Sequence, residues 1–194
     1  SMRDNALPLW ALESQTPVRE FDMIAFTIGY EMAYSNILNM LNLAGVPLRS
    51  KDRQGLKNIV FAGGVCAFNP EPLADFIDFF SLGEGEDITV EILQLYDRAK
   101  AEGWSKDAFL HEAAKIPGVY VPSFYRHEYN ADGTLAAIVP LEGVPQTVTK
   151  RIIEDLDSAY FPTKMIVPST EIVHDRANLE VFRGCIRGCR FCQA

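Results

Sequence analysis

Three short apolar runs punctuate the first half of the chain, and each is followed by a turn and a helical pattern. The runs have the length of buried strands and little of the polar alternation typical of a strand with one wet face. They are residues 23–28 (MIAFTI), 58–62 (NIVFA) and 78–82 (DFFSL). Strands that alternate with helices predict a parallel sheet with helices on its faces. We therefore expect an α/β, doubly wound fold of the Rossmann or flavodoxin type.

Capping residues indicate where the helices begin and end. A helix is predicted over residues 31–44, where apolar residues recur at helical spacing and Gly45 stands at the C-terminal cap. A short helix is predicted over residues 69–76, since Asn69 is a good N-cap and a proline follows it. A third helix should end at Gly103, and a fourth should span residues 105–115.

After Gly118 the pattern changes to short apolar segments separated by prolines. Residues 119–124 and 135–139 are predicted to pair as a β-hairpin around the Asp-Gly turn at 132–133. Residues 119–176 as a whole are interpreted as this hairpin and a proline-rich linker. Residues 178–182 (NLEVF) are predicted to form one more strand, which leads into a cluster of cysteines.

Composition and charge narrow the class of protein. The chain has 194 residues, of which 48% are hydrophobic and 23% charged, as in ordinary globular proteins. No apolar stretch reaches the length of a membrane span, and the first residues do not predict a signal peptide, so a cytoplasmic protein is expected. The net charge of −8 argues against a nucleic-acid partner. Arg183, Arg187 and Arg190 form a local basic exception, either a solvated loop or a positive collar for an anionic cofactor.

Three of the four cysteines lie close together, at Cys185, Cys189 and Cys192. Thiolates are soft ligands suited to iron–sulfur clusters, and three of them leave one iron of a [4Fe–4S] cluster open. The alternative is a structural zinc site, for which His174 or Cys66 would have to supply the fourth ligand.

The segment from Glu180 to Cys192 resembles the start of a radical S-adenosylmethionine (SAM) domain, whose signature is Cys-x3-Cys-x-aromatic-Cys. The resemblance implies that the three cysteines ligate three irons, that SAM chelates the fourth, and that Phe191 lies near the adenine. It further implies reductive cleavage of SAM to a 5′-deoxyadenosyl radical, with a flavodoxin or ferredoxin as electron donor.

Residues 20–102 resemble the cobalamin-binding-like domain that precedes many radical SAM domains, so residues 7–118 are interpreted as a partial domain of that kind. Glycines at the carboxyl ends of strands allow a ligand to approach the backbone, or they simply form tight turns and helix caps. The candidate ligand-binding residues are Gly63, Gly64, Gly83, Glu84, Gly85 and Glu86. The Asp-x-His-x-x-Gly motif of histidine-ligated cobalamin is absent. Cobalt ligation by histidine is therefore not expected, and cobalamin binding itself remains open.

Such a domain usually has five parallel strands, and only three are evident, so the chain is expected to begin inside the domain. Residues 23–28 would then form a bare apolar edge that pairs with residues 7–12 or with another chain, giving a dimer.

The leading hypothesis is a fragment of a radical SAM enzyme, inactive alone, with residues 177–194 opening the catalytic domain. The alternatives are a corrinoid- or nucleotide-binding module with a structural metal, and an interaction scaffold. The sequence does not specify the substrate.

Overall fold

The structure is a computed structural model that describes residues 2–164, 170–173, 176 and 179–192. The chain divides into two compact units, Ser1–Ile152 and Ile153–Ala194. Each is described by itself below.

The first unit is built on a four-stranded sheet in the order β1-β2-β3-β4. Its strands are β1 (Met23–Thr27), β2 (Ile59–Gly63), β3 (Phe79–Ser81) and β4 (Val119–Tyr120). The first three strands are parallel, and β4 lies antiparallel to β3. The three predicted strands and the α/β fold class are therefore confirmed, with β4 added at one edge of the sheet.

Three α-helices accompany the sheet: α1 (Tyr34–Ala44), α2 (Gly85–Glu102) and α3 (Lys106–Ala113). The caps predicted for these three helices are present. Gly45 and Gly103 adopt the left-handed conformation at the C-caps of α1 and α2, with φ of 70° and 69°. The Ser105 hydroxyl accepts a hydrogen bond from the Ala108 amide at 3.1 Å and so begins α3. In the described ranges, no helix has the length and apolar character that crossing a bilayer requires.

Two hydrophobic cores lie on opposite faces of the sheet, because successive side chains of a strand point to opposite sides. On one face Ile24 of β1 and Val60 of β2 pack with Ile37 and Leu41 of α1. The other core combines residues of β2, β3, α2, α3 and β4: Ile59, Phe79, Ile88, Ile92, Phe109 and Val119. Strands buried on both sides explain the nearly continuous apolar runs in the sequence.

The predicted hairpin pairing is wrong in its first strand. Residues 135–139 pair instead with the next segment, so the hairpin consists of β5 (Tyr125–Tyr129) and β6 (Leu135–Pro140). Val119 is buried and joins the main sheet, and Pro122 begins a 3-10 turn that separates β4 from β5. The segment 119–124 is thus core, whereas β5 alternates partly buried and exposed residues. The turn itself is where the sequence predicts it, since Gly133 has a φ of 83°.

Two further local expectations need correction. The helix expected over residues 69–76 is only the 3-10 turn Glu71–Leu73, in a stretch where Pro70 and Pro72 remove two backbone donors. Residues 7–12 do not pair with β1. Trp10 forms an isolated bridge with Pro17, and the Leu9 amide donates to the Leu43 carbonyl at 3.2 Å.

The second unit contains one 3-10 turn, Leu156–Ser158, among its described residues. The Asp155 side chain accepts from the Asp157 amide at 3.1 Å at the start of this turn. The strand expected over 178–182 is not formed at residues 179–182, and Asn178 lies outside the described residues. Leu179, Val181 and Phe182 are largely exposed, and no strand among the described residues pairs with this segment.

Candidate functional site

The cysteine segment is a solvent-exposed loop in the second unit. Cys185, Cys189 and Cys192 are free and exposed. The Cys192 amide donates to the Cys189 carbonyl at 3.0 Å, so the last two cysteines flank one tight turn. Gly184 and Gly188 have φ values of 84° and 62°, a backbone conformation that residues with a Cβ rarely adopt. These two glycines stand directly before the first and second cysteines.

The surroundings of the loop are polar and basic. Arg183 donates from Nε and Nη2 to the Glu180 carboxylate, at 2.9 and 2.8 Å. This hydrogen bonding lowers the pKa of Glu180 below its ordinary value. Arg187, Arg190 and Phe191 are exposed, and Phe191 keeps 91% of its surface accessible. The exposure of Arg187 and Arg190 is compatible with a solvated loop and with a positive collar for an anionic cofactor.

The donor set of the loop suits an iron–sulfur cluster, since three thiols lie in one short segment that also contains a left-handed glycine, Gly188. The thiols are not gathered around one point. Among the described residues, no three His, Cys, Asp or Glu side chains are arranged to hold a metal. The chemistry of the residues fits the cluster, and the loop would have to close around it. Of the other ligands considered, Cys66 is buried in a 3-10 turn after β2, and His174 is outside the described residues.

At the carboxyl end of β2, Gly63 and Gly64 are closely packed by the chain itself. Gly64 has a φ of 94°, and a Cβ there would lie 2.8 Å from the Ile28 carbonyl oxygen. A Cβ on Gly63 would lie 3.3 Å from the Ser81 carbonyl oxygen. The backbone directly after β1 therefore leaves no room for a Cβ at Gly64, and β3 packs tightly against Gly63, whether or not a ligand reaches this edge.

At the carboxyl end of β3, Gly83 lies against a segment that we call the strap, residues 148–152. The Arg151 amide donates to the Leu82 carbonyl at 2.9 Å, and the Glu84 amide donates to the Arg151 carbonyl at 3.0 Å. A Cβ on Gly83, whose φ is 102°, would lie 2.0 Å from the Arg151 carbonyl oxygen. The Arg151 guanidinium pairs with Glu91 of α2. The space beside Gly83 is thus filled by the chain's own backbone.

The remaining candidates, Glu84, Gly85 and Glu86, form the start of α2. Glu84 is the N-cap residue, and Glu86 belongs to the acidic first turn. Negative side chains here interact favourably with the amides at the helix N-terminus. The turn-and-cap interpretation accounts for all three positions.

The carboxyl edge is more open over the turns that follow β1 and β2. Four large apolar side chains there are 49–82% exposed: Tyr30, Met32, Val65 and Phe68. The two turns touch, because the Tyr34 hydroxyl donates to the carbonyls of Cys66 and Asn69 at 3.3 and 3.2 Å. Sequence reasoning missed this surface. The only sequence feature that indicates this surface is the presence of apolar residues in turns, where polar residues are the rule.

The amino edge of the sheet carries a second feature that the sequence did not indicate. The Asp78 carboxylate is buried and accepts hydrogen bonds from Arg53 Nη2 at 3.0 Å and from the Val60 amide at 2.6 Å. Its other oxygen lies 2.6 Å from Lys106 Nζ and 2.5 Å from Ser50 Oγ. This network ties the loop before β2 to β3 and to the start of α3. It borders a cleft of ≈ 710 Å³.

A small polar cluster lies at the other side of this cleft. The Tyr120 hydroxyl donates to Glu71 Oε1 at 2.6 Å, and His127 Nε2 lies 3.2 Å from Glu71 Oε2. Burial and the Glu71 carboxylate raise the pKa of Tyr120 far above its ordinary value. The cluster connects β4 and β5 to the turn before β3. The other described histidine, His111, is on α3, so neither lies at the carboxyl edge where a cobalt ligand would be needed.

Comparison with known proteins defines the class. Residues 1–122 match the family model described as the N-terminal domain of radical SAM proteins. The match covers more than half of the chain, and the chain belongs to this family. The expected relationship to radical SAM proteins with an N-terminal domain is thereby confirmed.

A relative in Methanocaldococcus jannaschii, an uncharacterised protein, is 26% identical over 198 residues, covering 99% of this chain and 34% of its own length. The chain thus spans about a third of the curated relative it matches. No solved structure matches this chain.

Proposed function

We propose that this chain is the N-terminal part of a radical SAM enzyme in which Cys185, Cys189 and Cys192 hold a [4Fe–4S] cluster. The observation that carries the proposal is the exposed cysteine loop, with its spacing and its two left-handed glycines, in a chain of the radical SAM family. Three thiolates and an open iron are the donor arrangement that this chemistry needs.

When bound, the cluster and SAM supply an electron and a cleavable sulfonium, and hence a 5′-deoxyadenosyl radical. The chain's own residues hold and orient these groups. The three thiolates would bind irons, Gly184 and Gly188 would allow the loop to close, and the exposed ring of Phe191 would be available to the adenine. A flavodoxin or ferredoxin is the proposed electron donor.

The first unit is proposed to support SAM cleavage without supplying any of the residues that bind the cluster. Cobalamin binding finds support only at the open edge formed by Tyr30, Met32, Val65 and Phe68, because the strap fills the edge beside Gly83. No histidine motif accompanies that edge, so any corrinoid there would bind without a histidine ligand from the described residues.

The test is anaerobic reconstitution of a polypeptide that carries this chain together with the catalytic domain. We expect about four irons and four sulfides per chain, and 5′-deoxyadenosine when SAM and a reductant are added. Serine in place of each loop cysteine should abolish both. Cys66→Ser is the matched control and should leave both unchanged, because Cys66 lies after β2 in the first unit.

Zinc at one per chain, with no sulfide, would contradict the proposal and favour a binding module with a structural metal. The 194-residue chain alone is expected to cleave no SAM, because the described residues of its second unit include no strand that could enclose the cofactor. Turnover by this chain alone would contradict that expectation.

A further inference from the structure

The cleft of ≈ 710 Å³ at the amino edge of the sheet is built entirely from the first unit. Its walls come from four segments within residues 49–127: the loop before β2, the turn before β3, the start of α3 and the residues that lead into β5. Because β2 separates β3 and β4 from β1, these walls are complete without any strand beyond β1. The volume lies within the range of about 300–1,000 Å³ that is typical of small-molecule sites.

One side of the cleft carries more positive than negative charge. Arg53 and Lys106 both pair with the Asp78 carboxylate, and their side chains are only 1% and 14% exposed. One carboxylate neutralises one of these two cations, and no other acidic side chain of the described residues pairs with either. The carbonyls of Ser50 and Arg53 accept hydrogen bonds from Lys106 Nζ at 2.7 and 3.1 Å, but they carry no full charge. Since an uncompensated buried charge is costly, an anion in the cleft would stabilise this arrangement.

The other charged groups on this side do not supply that anion. Lys51 adds a second exposed cation that forms no ion pair within the described ranges. Arg49 and Asp75 pair with each other. Asp107 lies 3.4 Å from His111 of the same helix, and its side chain is 78% exposed, so solvent screens its charge. The excess of positive charge suits a phosphate monoester, which carries about −1.5 to −2 charges at pH 7.

The other side of the cleft has hydrogen-bonding groups that the protein leaves unsatisfied. Glu71 Oε1 accepts from the Tyr120 hydroxyl, whereas no described residue donates a hydrogen bond to Oε2. His127 Nε2 lies 3.2 Å from Oε2 but is not aligned for a hydrogen bond, and this buried nitrogen has no partner among the described residues. Buried polar atoms are rarely left in this state. A hydroxyl group in the cleft could donate to Glu71 Oε2 and accept from a protonated His127 Nε2.

We propose that this cleft binds a phosphate monoester that carries hydroxyl groups, which is the chemistry shared by sugar phosphates and nucleotides. The phosphate lies against Lys51 and Lys106, and a hydroxyl group contacts Glu71 and His127. This inference concerns the first unit alone and stands independently of the cluster chemistry.

Calorimetric titration of the polypeptide that carries this chain together with the catalytic domain tests the proposal, with no iron or SAM present. Ribose 5-phosphate should bind saturably, and inorganic phosphate and ribose should each bind at least about tenfold more weakly, because each supplies only half of the contacts. Adenosine monophosphate distinguishes the two sources of this chemistry. Tighter binding than ribose 5-phosphate indicates a nucleotide, and weaker binding indicates a sugar phosphate.

Two variants assign the binding to the cleft. Lys51→Ala should weaken ribose 5-phosphate and inorganic phosphate alike, by about tenfold, since it removes a charge that contacts the phosphate. Glu71→Gln should weaken ribose 5-phosphate but leave inorganic phosphate unchanged. Lys57→Ala is the matched control, because Lys57 is an exposed lysine of the same loop that does not line the cleft, and it should bind like the wild type.

Both variants change side chains outside the Asp78 network, and circular dichroism shows that each is folded. The proposal is overturned if the folded wild type binds neither ribose 5-phosphate nor adenosine monophosphate. It is also overturned if binding survives both variants unchanged, because the site would then lie elsewhere. Ribose 5-phosphate that binds no more tightly than inorganic phosphate would reduce the cleft to an adventitious anion site and would likewise overturn it.

Discussion

Gly83→Ala tests whether this glycine serves the strap or a ligand. The substitution adds one methyl group, which would lie 2.0 Å from the Arg151 carbonyl oxygen and 2.6 Å from the Arg151 amide nitrogen. Both are backbone atoms, so no side-chain rotation relieves the contact. The strap must move away from β3, and its two hydrogen bonds to Leu82 and Glu84 must break.

The expected loss of stability has two parts. Placing a non-glycine residue at a φ of 102° costs about 1–3 kcal/mol. Each lost backbone hydrogen bond adds about 0.5–1.5 kcal/mol, so displacement of the strap adds about 1–3 kcal/mol more. Gly143→Ala is the matched control, because Gly143 also has a positive φ, 80°, but nothing lies within 4 Å of its Cβ position. The control should lose only the stability that corresponds to the positive φ.

The assay is equilibrium unfolding in urea, with the free energies of unfolding of the two variants compared directly. The strap of the Gly83 variant should also be cut faster by a non-specific protease, since its anchoring hydrogen bonds are gone. Equal losses of stability in the two variants, with no change in proteolysis, would refute the reasoning. Gly83 would then have to be explained by something other than contact with the strap.

Three further predictions concern the first unit. Asp78→Ala should lower the free energy of unfolding, measured by urea titration, by about 3–5 kcal/mol, because it leaves the guanidinium of Arg53 buried without a counterion. The control is Asp75→Ala, which removes one partner of a surface ion pair and should cost less than about 1 kcal/mol in the same titration. Because burial raises the pKa of Tyr120, the stability that this group contributes is present below about pH 10 and lost above it. Tyr120→Phe should therefore be less stable at neutral pH, and its stability should fall less steeply under alkaline conditions. Burial likewise raises the pKa of the Cys66 thiol, so a thiol reagent should modify three cysteines of the native chain rapidly and Cys66 only after unfolding.

Local patterns were sufficient to predict most of the first unit. The strands β1, β2 and β3 are short apolar runs, and the glycines after α1 and α2 stand at the predicted C-caps. These features depend on residues close together in the sequence. The errors occur where contact with a residue far away in the sequence determines the local structure. The sequence pattern predicts a hairpin strand over residues 119–124, but Val119 pairs with β3 and packs in the core that includes α2.

The buried network around Asp78 could not be predicted from the sequence for the same reason. Its members, Ser50, Arg53 and Lys106, come from segments far apart in the chain, and each is an ordinary polar residue in its own surroundings. Only the folded arrangement shows that they share one carboxylate. The cysteine loop is the opposite case. Its three cysteines lie within eight residues, so their spacing alone suggested the proposed chemistry, although the described thiols are not gathered in the structure.

The glycines at the carboxyl edge show how far such a pattern can be interpreted. A glycine after a strand indicates that something approaches the backbone closely, but it does not say what. At Gly64 the neighbour is Ile28, directly after β1, and at Gly83 it is Arg151, a residue far along the chain. A ligand and a packed segment impose the same requirement for a missing Cβ. The two are distinguished by whether the space is already filled, and at Gly83 it is. The search for a bound cofactor in the first unit therefore belongs at the exposed apolar turns after β1 and β2, where the backbone leaves the edge open.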